Sequence, residues 1–299
     1  MSRKTGSVNR RDFFRIGTSA AAAGLFGTGA AQSADEPVAP TSRVVLIREK
    51  AVLDDDGTLD GAMLHTMLNR AMTSLFEVES PEEAWKRVIR PDDVVGIKTN
   101  VWSNLRTPPE LEEAIRSEVV KAGVKPDDVA VDDRGVLKNP VFKRATALIN
   151  TRPLRTHNWS GLGTCIKNLI MFVPRPQDYH GDACASLGAI WHLPQLEGKV
   201  RLNVLVMLTP QFHSTGPHSF SPEHVWPYGG LIVGVDPVAV DATGARIIEA
   251  KRKLYFGDNR PISPPPHHIK IAGERYDLGV SNPDRIDLVR LGWKEEALI

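Results

Sequence analysis

Cysteine is scarce in this chain: Cys165 and Cys184 are the only two among 299 residues. An all-cysteine iron–sulfur centre takes four thiolates, so no self-contained cluster is expected. A structural zinc site of the Cys2His2 type shows C-x2-C and H-x3-H spacings, and both are missing. An oxidising compartment would permit a disulfide between the two thiols. An excess of one charge is lacking as well. Lys and Arg number 37 against 36 Asp and Glu, a formal net charge of +1, which excludes the basic surplus of a nucleic-acid binder. Long apolar runs are also missing. The stretch Ile16–Ala31 is weakly apolar and broken by Gly, Thr and Ser. It falls short of the roughly 20 apolar residues that a spanning helix needs, so no stable membrane span is expected.

What the N-terminus does have is an ordered set of signals. Asn9-Arg10-Arg11-Asp12-Phe13-Phe14-Arg15 precedes the apolar run, and small residues follow at Ala30, Ala31, Ser33 and Ala34. This arrangement resembles a bacterial twin-arginine export signal over residues 1–34, an address read by the translocase and not part of the fold. The resemblance implies a periplasmic protein exported already folded, with the twin-arginine translocase as transient partner. Residues 35–42 read as a linker, and residues 43–299 are long enough for one domain with a large core. Without residues 1–34, which hold five basic side chains and one acid, the charge balance turns slightly negative.

The first half of that domain alternates between two periods. Arg43–Arg48, Val94–Lys98 and Val129–Asp132 are short apolar runs of the buried-strand kind. Leu59–Phe76 carries a helical stripe at Met63, Leu64, Met67, Leu68, Ala71, Met72, Leu75 and Phe76. A second helix is expected from Thr107 as N-cap and Pro108 at its first position, with Gly123 ending it. This order predicts an α/β fold with a mixed, mostly parallel sheet flanked by helices. Further on, Cys165–Val173 and Val200–Leu208 read as strands and Ala183–Leu193 as a helix. Gly230–Val235 reads as a strand leading into a helix from Pro237 to about Lys253. Residues 209–229 read as a long loop with three histidines (His213, His218, His224), residues 260–268 as an exposed Pro-rich connector, and Asp287–Leu291 as a last strand.

In open parallel sheets ligands bind beyond the carboxyl ends of the strands, and polar residues collect there. Lys98 and Asn100 follow the second strand, and Asp132 and Asp133 end the third. Lys98 suits an anion or acid–base work, and the paired acids suit a cation. His157 precedes a small-residue loop, and Lys167 with Asn168 interrupts an apolar run where a lysine is expensive to bury. Tyr179-His180-Gly181-Asp182-Ala183-Cys184 suggests Asp182 as a helix N-cap, with Cys184 in the first turn, where exposed amides favour a thiolate. His180 and Cys184 then suit a nucleophile–base pair or two metal ligands; a capped helix with a buried thiol explains them equally well. Asp236 is an ideal N-cap with Pro237 after it, whereas Asp241 sits in an otherwise apolar helix start. A divalent or transition metal at Asp236, Asp241, His180 and Cys184 is one expectation; the loop histidines match no compact metal motif.

Taken in order, Ile97-Lys98-Thr99-Asn100, Thr107-Pro108, Val131-Asp132-Asp133, His157 with Cys165-Ile166-Lys167-Asn168, His180, Gly216-Pro217 and Asp236-Pro237-Val238-Ala239-Val240-Asp241 resemble the prokaryotic domain of unknown function 362 over roughly residues 43–255. Some members of that family carry ferredoxin-like cysteine clusters, which this chain lacks; its exported branch is the closer match. The resemblance implies no general reaction. The residues themselves support an exported enzyme, or former enzyme, with Lys167, His157, Lys98 and His180 as catalytic candidates. Asn100, Asn168, Asp132 and Asp133 are candidates for binding a small anionic substrate or for redox chemistry. The alternatives are a cofactor-binding or maturation factor serving an exported redox enzyme, and a plain structural partner protein.

Overall fold

The computed structural model describes residues 42–214 and 220–299. The expected export signal, the expected linker up to residue 41, Gly216, Pro217 and His218 lie outside them. A strand, β1 (Ser42–Arg48), is followed by helices α1 (Gly61–Phe76) and α2 (Pro81–Lys86). Then come β2 (Val95–Lys98), α3 (Pro109–Lys121), β3 (Val129–Asp132), α4 (Pro140–Lys143), β4 (Ala147–His157) and β5 (Gly161–Gly163). The short helix α5 (Cys165–Asn168) runs into a 3-10 turn at Leu169–Phe172. A single irregular turn, α6 (Gly181–Cys184), leads into a 3-10 helix at Ala185–His192. The chain closes with β6 (Val200–Gln211), β7 (Gly230–Gly234), α7 (Pro237–Phe256), α8 (His267–Glu274) and β8 (Ile286–Gly292).

The strands form one mixed sheet in the order β3-β2-β4-β6-β7-β1-β8, with β5 paired to β4 off that path. The contacts β3–β2, β2–β4, β4–β6 and β1–β8 are parallel, while β7 runs antiparallel to both β6 and β1. Alternation along the strands divides the core between the two faces. Val45, Ile47, Val204, Val206, Leu231 and Val233 pack with the apolar stripe of α1 and with α3. Val44, Leu46, Leu205, Met207 and Ile232 pack with α5, the 3-10 segments, α7 and α8. The α1 stripe begins where expected because the Asp60 carboxylate accepts the Met63 N–H and caps the helix.

Several expectations need correction. Cys165–Phe172 is helical, not extended, and only Val173 keeps an extended backbone. A short apolar run does not by periodicity tell strand from buried helix, and a capped turn at its start decides the outcome. Asp182 caps no helix: Asp182, Ala183 and Cys184 are all left-handed, with φ of 47°, 47° and 65°, and the regular segment starts at Ala185 as a 3-10 helix. Thr107 is not the N-cap of α3; Pro108 holds that place, and the Thr107 hydroxyl accepts the Asn100 N–H at 3.3 Å. The loop after β6 is shorter than expected, because β6 continues to Gln211, which bridges to Val225. The Pro-rich connector ends in α8, whose His268 is fully buried. The pattern assigns no element to Ala147–His157, which is the long central strand β4, buried along its entire length.

Candidate functional site

Register places one polar row across the sheet. Lys98 on β2 pairs with Asp132 on β3 and with Asn150 on β4, and Asn150 pairs with Asn203 on β6. Lys98 is fully buried. Its ammonium donates to Asp133 Oδ1 at 2.5 Å and to the Thr99 carbonyl at 2.7 Å. Asp133 Oδ2 accepts the Val101 N–H. Burial pushes the Asp133 carboxyl up, but the charge and hydrogen bond of Lys98 outweigh it and the net direction is down. Burial lowers Lys98 to about 8, opposed by Asp133.

An amide relay continues the row. Asn168 Nδ2 donates to Asn150 Oδ1 at 2.8 Å and to the Thr151 carbonyl at 3.1 Å. Asn150 Nδ2 donates to Asn203 Oδ1 at 3.0 Å and to the Cys165 carbonyl at 2.9 Å. Asn203 Nδ2 in turn donates to the Val235 carbonyl. Asn168 Oδ1 accepts from Asn100 Nδ2 at 3.3 Å, which ties the β2 end to α5. Buried amides satisfied in this way hold a single arrangement.

Lys167 is held by the start of its own helix. Asp241 on α7 is fully buried and accepts the Cys165 N–H at 2.9 Å and the Ile166 N–H at 2.8 Å. It therefore caps α5 from another element, in the place that a side chain of Thr164 would otherwise fill. Burial raises Asp241 to about 7, against the pull of these amides, Thr164 and Arg152. Thr164 Oγ1 shares a hydrogen bond with His268 Nε2 at 3.0 Å. Burial, with Lys167 and Arg152 nearby, lowers His268 to about 3 and keeps it neutral.

In the neighbouring part of the site the arginines have no acid at ion-pair distance among the described residues; burial lowers Arg152, and Asp133 and Asp241 oppose the shift from further off. Arg152 and Arg155 on β4 are 3% and 5% exposed. A register shift between Pro153 and Arg155 lets residues of opposite parity approach the same place. A Cβ on Gly163 would lie 2.5 Å from Arg152 Nη2 and 3.5 Å from Arg155 Cγ, so a larger residue there would displace the Arg152 guanidinium. Among the described residues the Arg152 side chain donates only to the Thr164 carbonyl, at 3.5 Å. Arg155 stacks on the Trp102 ring, its Cζ 3.9 Å from the centroid. Among the described residues neither guanidinium forms an ion pair, and the Nε of each is buried without a partner. Burial, with Arg152 adding to it, lowers Arg155 to about 9.

Lys167, 3% exposed, reaches Cys184 Sγ at 3.6 Å. Burial lowers it to about 8; Cys184 opposes the shift, while Arg152 and Arg155 add to it. Burial raises the Cys184 thiol, against the pull of Lys167, and the thiol donates to the Trp159 carbonyl at 3.4 Å. The left-handed residues of α6 bring Cys184 to this position. Three consecutive non-glycine residues in that region store strain of about 1–2 kcal/mol each. Trp159 forms the exposed rim. Its ring stacks on His180 at 4.1 Å and lies 5.7 Å from His157, whose Nδ1 accepts the Trp159 N–H.

Lys98, Asn100, Asp133 and Asn168 thus come together in one network, and Lys167, Cys184, His157 and His180 in a second that touches it. Asp132 turns away: it accepts the Gly135 N–H and Asn139 Nδ2 and closes its own loop. Asp236 caps α7 through the Val238 and Ala239 amides and also accepts the Val280 N–H. The four side chains considered for a metal are therefore divided, with both aspartates committed to backbone amides. Among the described residues no three His, Cys, Asp or Glu are grouped to hold a metal ion. Cys165 and Cys184 are both free and buried. Sequence reasoning missed Asn150, Arg152, Arg155, Asn203 and His268. The available signal was Asn150 and Arg152 at alternate positions after Ala147-Leu148-Ile149. The shallow surface depressions lined by Arg43, Arg70 and Glu77, and by Arg48, Arg290 and Trp293, lie away from the site.

A family model described as "Domain of unknown function (DUF362)" matches residues 125–246 and supports membership of the chain in that family. The match runs from the turn before β3 into α7; it contains Asp133, Arg152, Arg155, Lys167, Cys184 and Asp241 and stops short of Lys98. No curated protein and no solved structure matches the chain.

Proposed function

We propose that this chain is an exported protein that binds a small anion at the carboxyl ends of β2 and β4 and acts on it there, with Lys167 as its acid–base group. One observation carries the reading: Arg152 and Arg155 are both buried, and among the described residues neither has a carboxylate at ion-pair distance, Asp133 and Asp241 favouring the Arg152 charge only from further off. Isolated buried charges cost several kcal/mol each, and proteins keep them where something neutralises them. Lys98 is paired with Asp133, and Asp241 is occupied by the α5 amides. The neighbourhood of Arg152, Arg155 and Lys167 therefore keeps a positive surplus. A carboxylate or other oxyanion fits it, because a guanidinium offers parallel N–H groups to two oxygens. The twin arginines Arg10-Arg11 and the following apolar run support export in the folded state.

Calorimetric titration of the purified chain at low ionic strength, with carboxylates, phosphate and sulfate, tests the reading. Saturable binding of at least one anion is expected, weakened about tenfold or more in Arg155→Gln, because one charged hydrogen bond contributes about 1.5–3 kcal/mol. The Arg155 side chain makes no hydrogen bond with the described residues, so this variant should fold normally. No saturable binding, or equal binding by the variant, rejects the proposal. A binding protein without chemistry would retain affinity and show no turnover that depends on Lys167.

A further inference from the structure

The two buried lysines differ in what holds their protons. Lys98 has a carboxylate at hydrogen-bond distance. Among the described residues the Lys167 ammonium has only a thiol, at 3.6 Å, and two guanidiniums close enough to disfavour its charge. A desolvated amine beside other cations is the setting in which lysine becomes a nucleophile towards carbonyl carbon. Arg152 and Arg155 would hold a carboxylate beside that amine, and the Asp241 cap on α5 fixes the helix from which the lysine projects.

We propose that Lys167 condenses with the carbonyl group of a 2-oxo carboxylate whose carboxylate is held by Arg152 and Arg155. The inference rests on the anion site proposed above and names its substrate class. The neutral amine adds to the carbonyl carbon, forming a C–N bond while the C=O electron pair moves to oxygen. That oxygen takes a proton, and the neutral Cys184 thiol beside Lys167 is a donor for it. The nitrogen gives a proton to the thiolate so formed, that thiol protonates the hydroxyl as it leaves as water, and the second N–H proton returns to the thiolate, leaving a C=N bond in place of C=O. The balance is one water released, with no oxidant or reductant. A 2-oxo acid fits because its electrophilic carbon is bonded directly to the carboxylate, so one anchored anion sets the distance to the amine.

The groups facing Lys167 are Cys184 from α6, Arg152 and Arg155 from β4 and His268 from α8, with Asp241 of α7 at the start of its own helix. His268 stays neutral and Asp241, held near 7, ionises below the amine, so condensation is expected to increase as pH rises through about 8.

The test is reductive trapping. The chain is incubated with pyruvate or 2-oxoglutarate, treated with borohydride, and read by intact mass and peptide mapping. One adduct per chain on the peptide containing Lys167 is expected, lost in Lys167→Arg and formed about tenfold or more slowly in Arg155→Gln. In the unaltered chain sulfate should suppress the adduct, a readout that needs no variant. Adducts spread over surface lysines and unchanged in Lys167→Arg overturn the proposal. Anion binding without any adduct overturns it while leaving the anion site standing; absence of both removes both readings.

Discussion

Two parts of one buried network lie side by side on the sheet, and they treat charge in opposite ways. At the ends of β2 and β3, Lys98 is matched by Asp133, and the amides of Asn150, Asn168 and Asn203 satisfy one another. At the end of β4, Arg152, Arg155 and Lys167 sit together with no ion pair among the described residues. Burial is almost equal in the two parts, so exposure does not explain the difference. The first has the composition of a framework, in which every charge has its counter-charge. On the proposed reading, an anion from outside the chain completes the second. The adjacency is instructive: the satisfied half holds the unsatisfied half in place through Asn168, which neighbours Lys167 on α5.

The sharpest way to break the comparison is to remove each lysine in turn. Lys98→Met strands Asp133 and is expected to destabilise the fold by about 3–5 kcal/mol in denaturant unfolding. Lys167→Met strands no acid and is expected to be neutral or stabilising; equal losses would abolish the distinction. Next in size is Asp241→Ala, which leaves two α5 amides without an acceptor and is expected to cost about 2–4 kcal/mol by the same measurement.

A pH series follows. Burial holds Lys167 near 8, below its ordinary value of 10.5, so between these values the unfolded chain binds more protons than the folded one. Stability attributable to Lys167 should therefore rise with pH across that window, on the order of 1–3 kcal/mol, the penalty being fully present below it. The difference between the unaltered chain and Lys167→Met should shrink accordingly, and a constant difference would contradict the shift. Trp102→Ala removes the ring under Arg155 and is expected to weaken anion binding by about three- to fivefold in calorimetry, as for a partly buried cation–π contact of roughly 1 kcal/mol. Ala183→Gly, smallest of all, relieves one left-handed alanine against the greater freedom of glycine when unfolded. It should stabilise by less than about 0.5 kcal/mol in thermal melts.

Legibility in the sequence followed the same division. Lys98, Asp133 and Asn168 stood out because each follows or interrupts an apolar run, and the structure does bring them together. Lys167 stood out for the same reason, although its surroundings were read as a strand. Arg152 and Arg155 did not stand out, because Asn150, Arg152, Pro153 and Arg155 break the apolar pattern by which a strand is recognised. That polar pattern inside a central strand is itself the sign of the site. Asp236 was legible in sequence as a cap on its own helix, whereas only packing shows that Asp241 caps another.

By itself the sequence determined the α/β alternation, the α1 stripe, the start of α7 at Asp236-Pro237 and the absence of a cysteine cluster, because periodicity, capping and composition act over a few neighbouring residues. Tertiary structure alone decided that β4 lies between β2 and β6, that a carboxylate 76 residues away caps α5, and that two arginines share the neighbourhood of Gly163 with Lys167. Those outcomes depend on strand register and on which buried groups find partners. Register and pairing are properties of the assembled sheet, and no local window of the chain contains them.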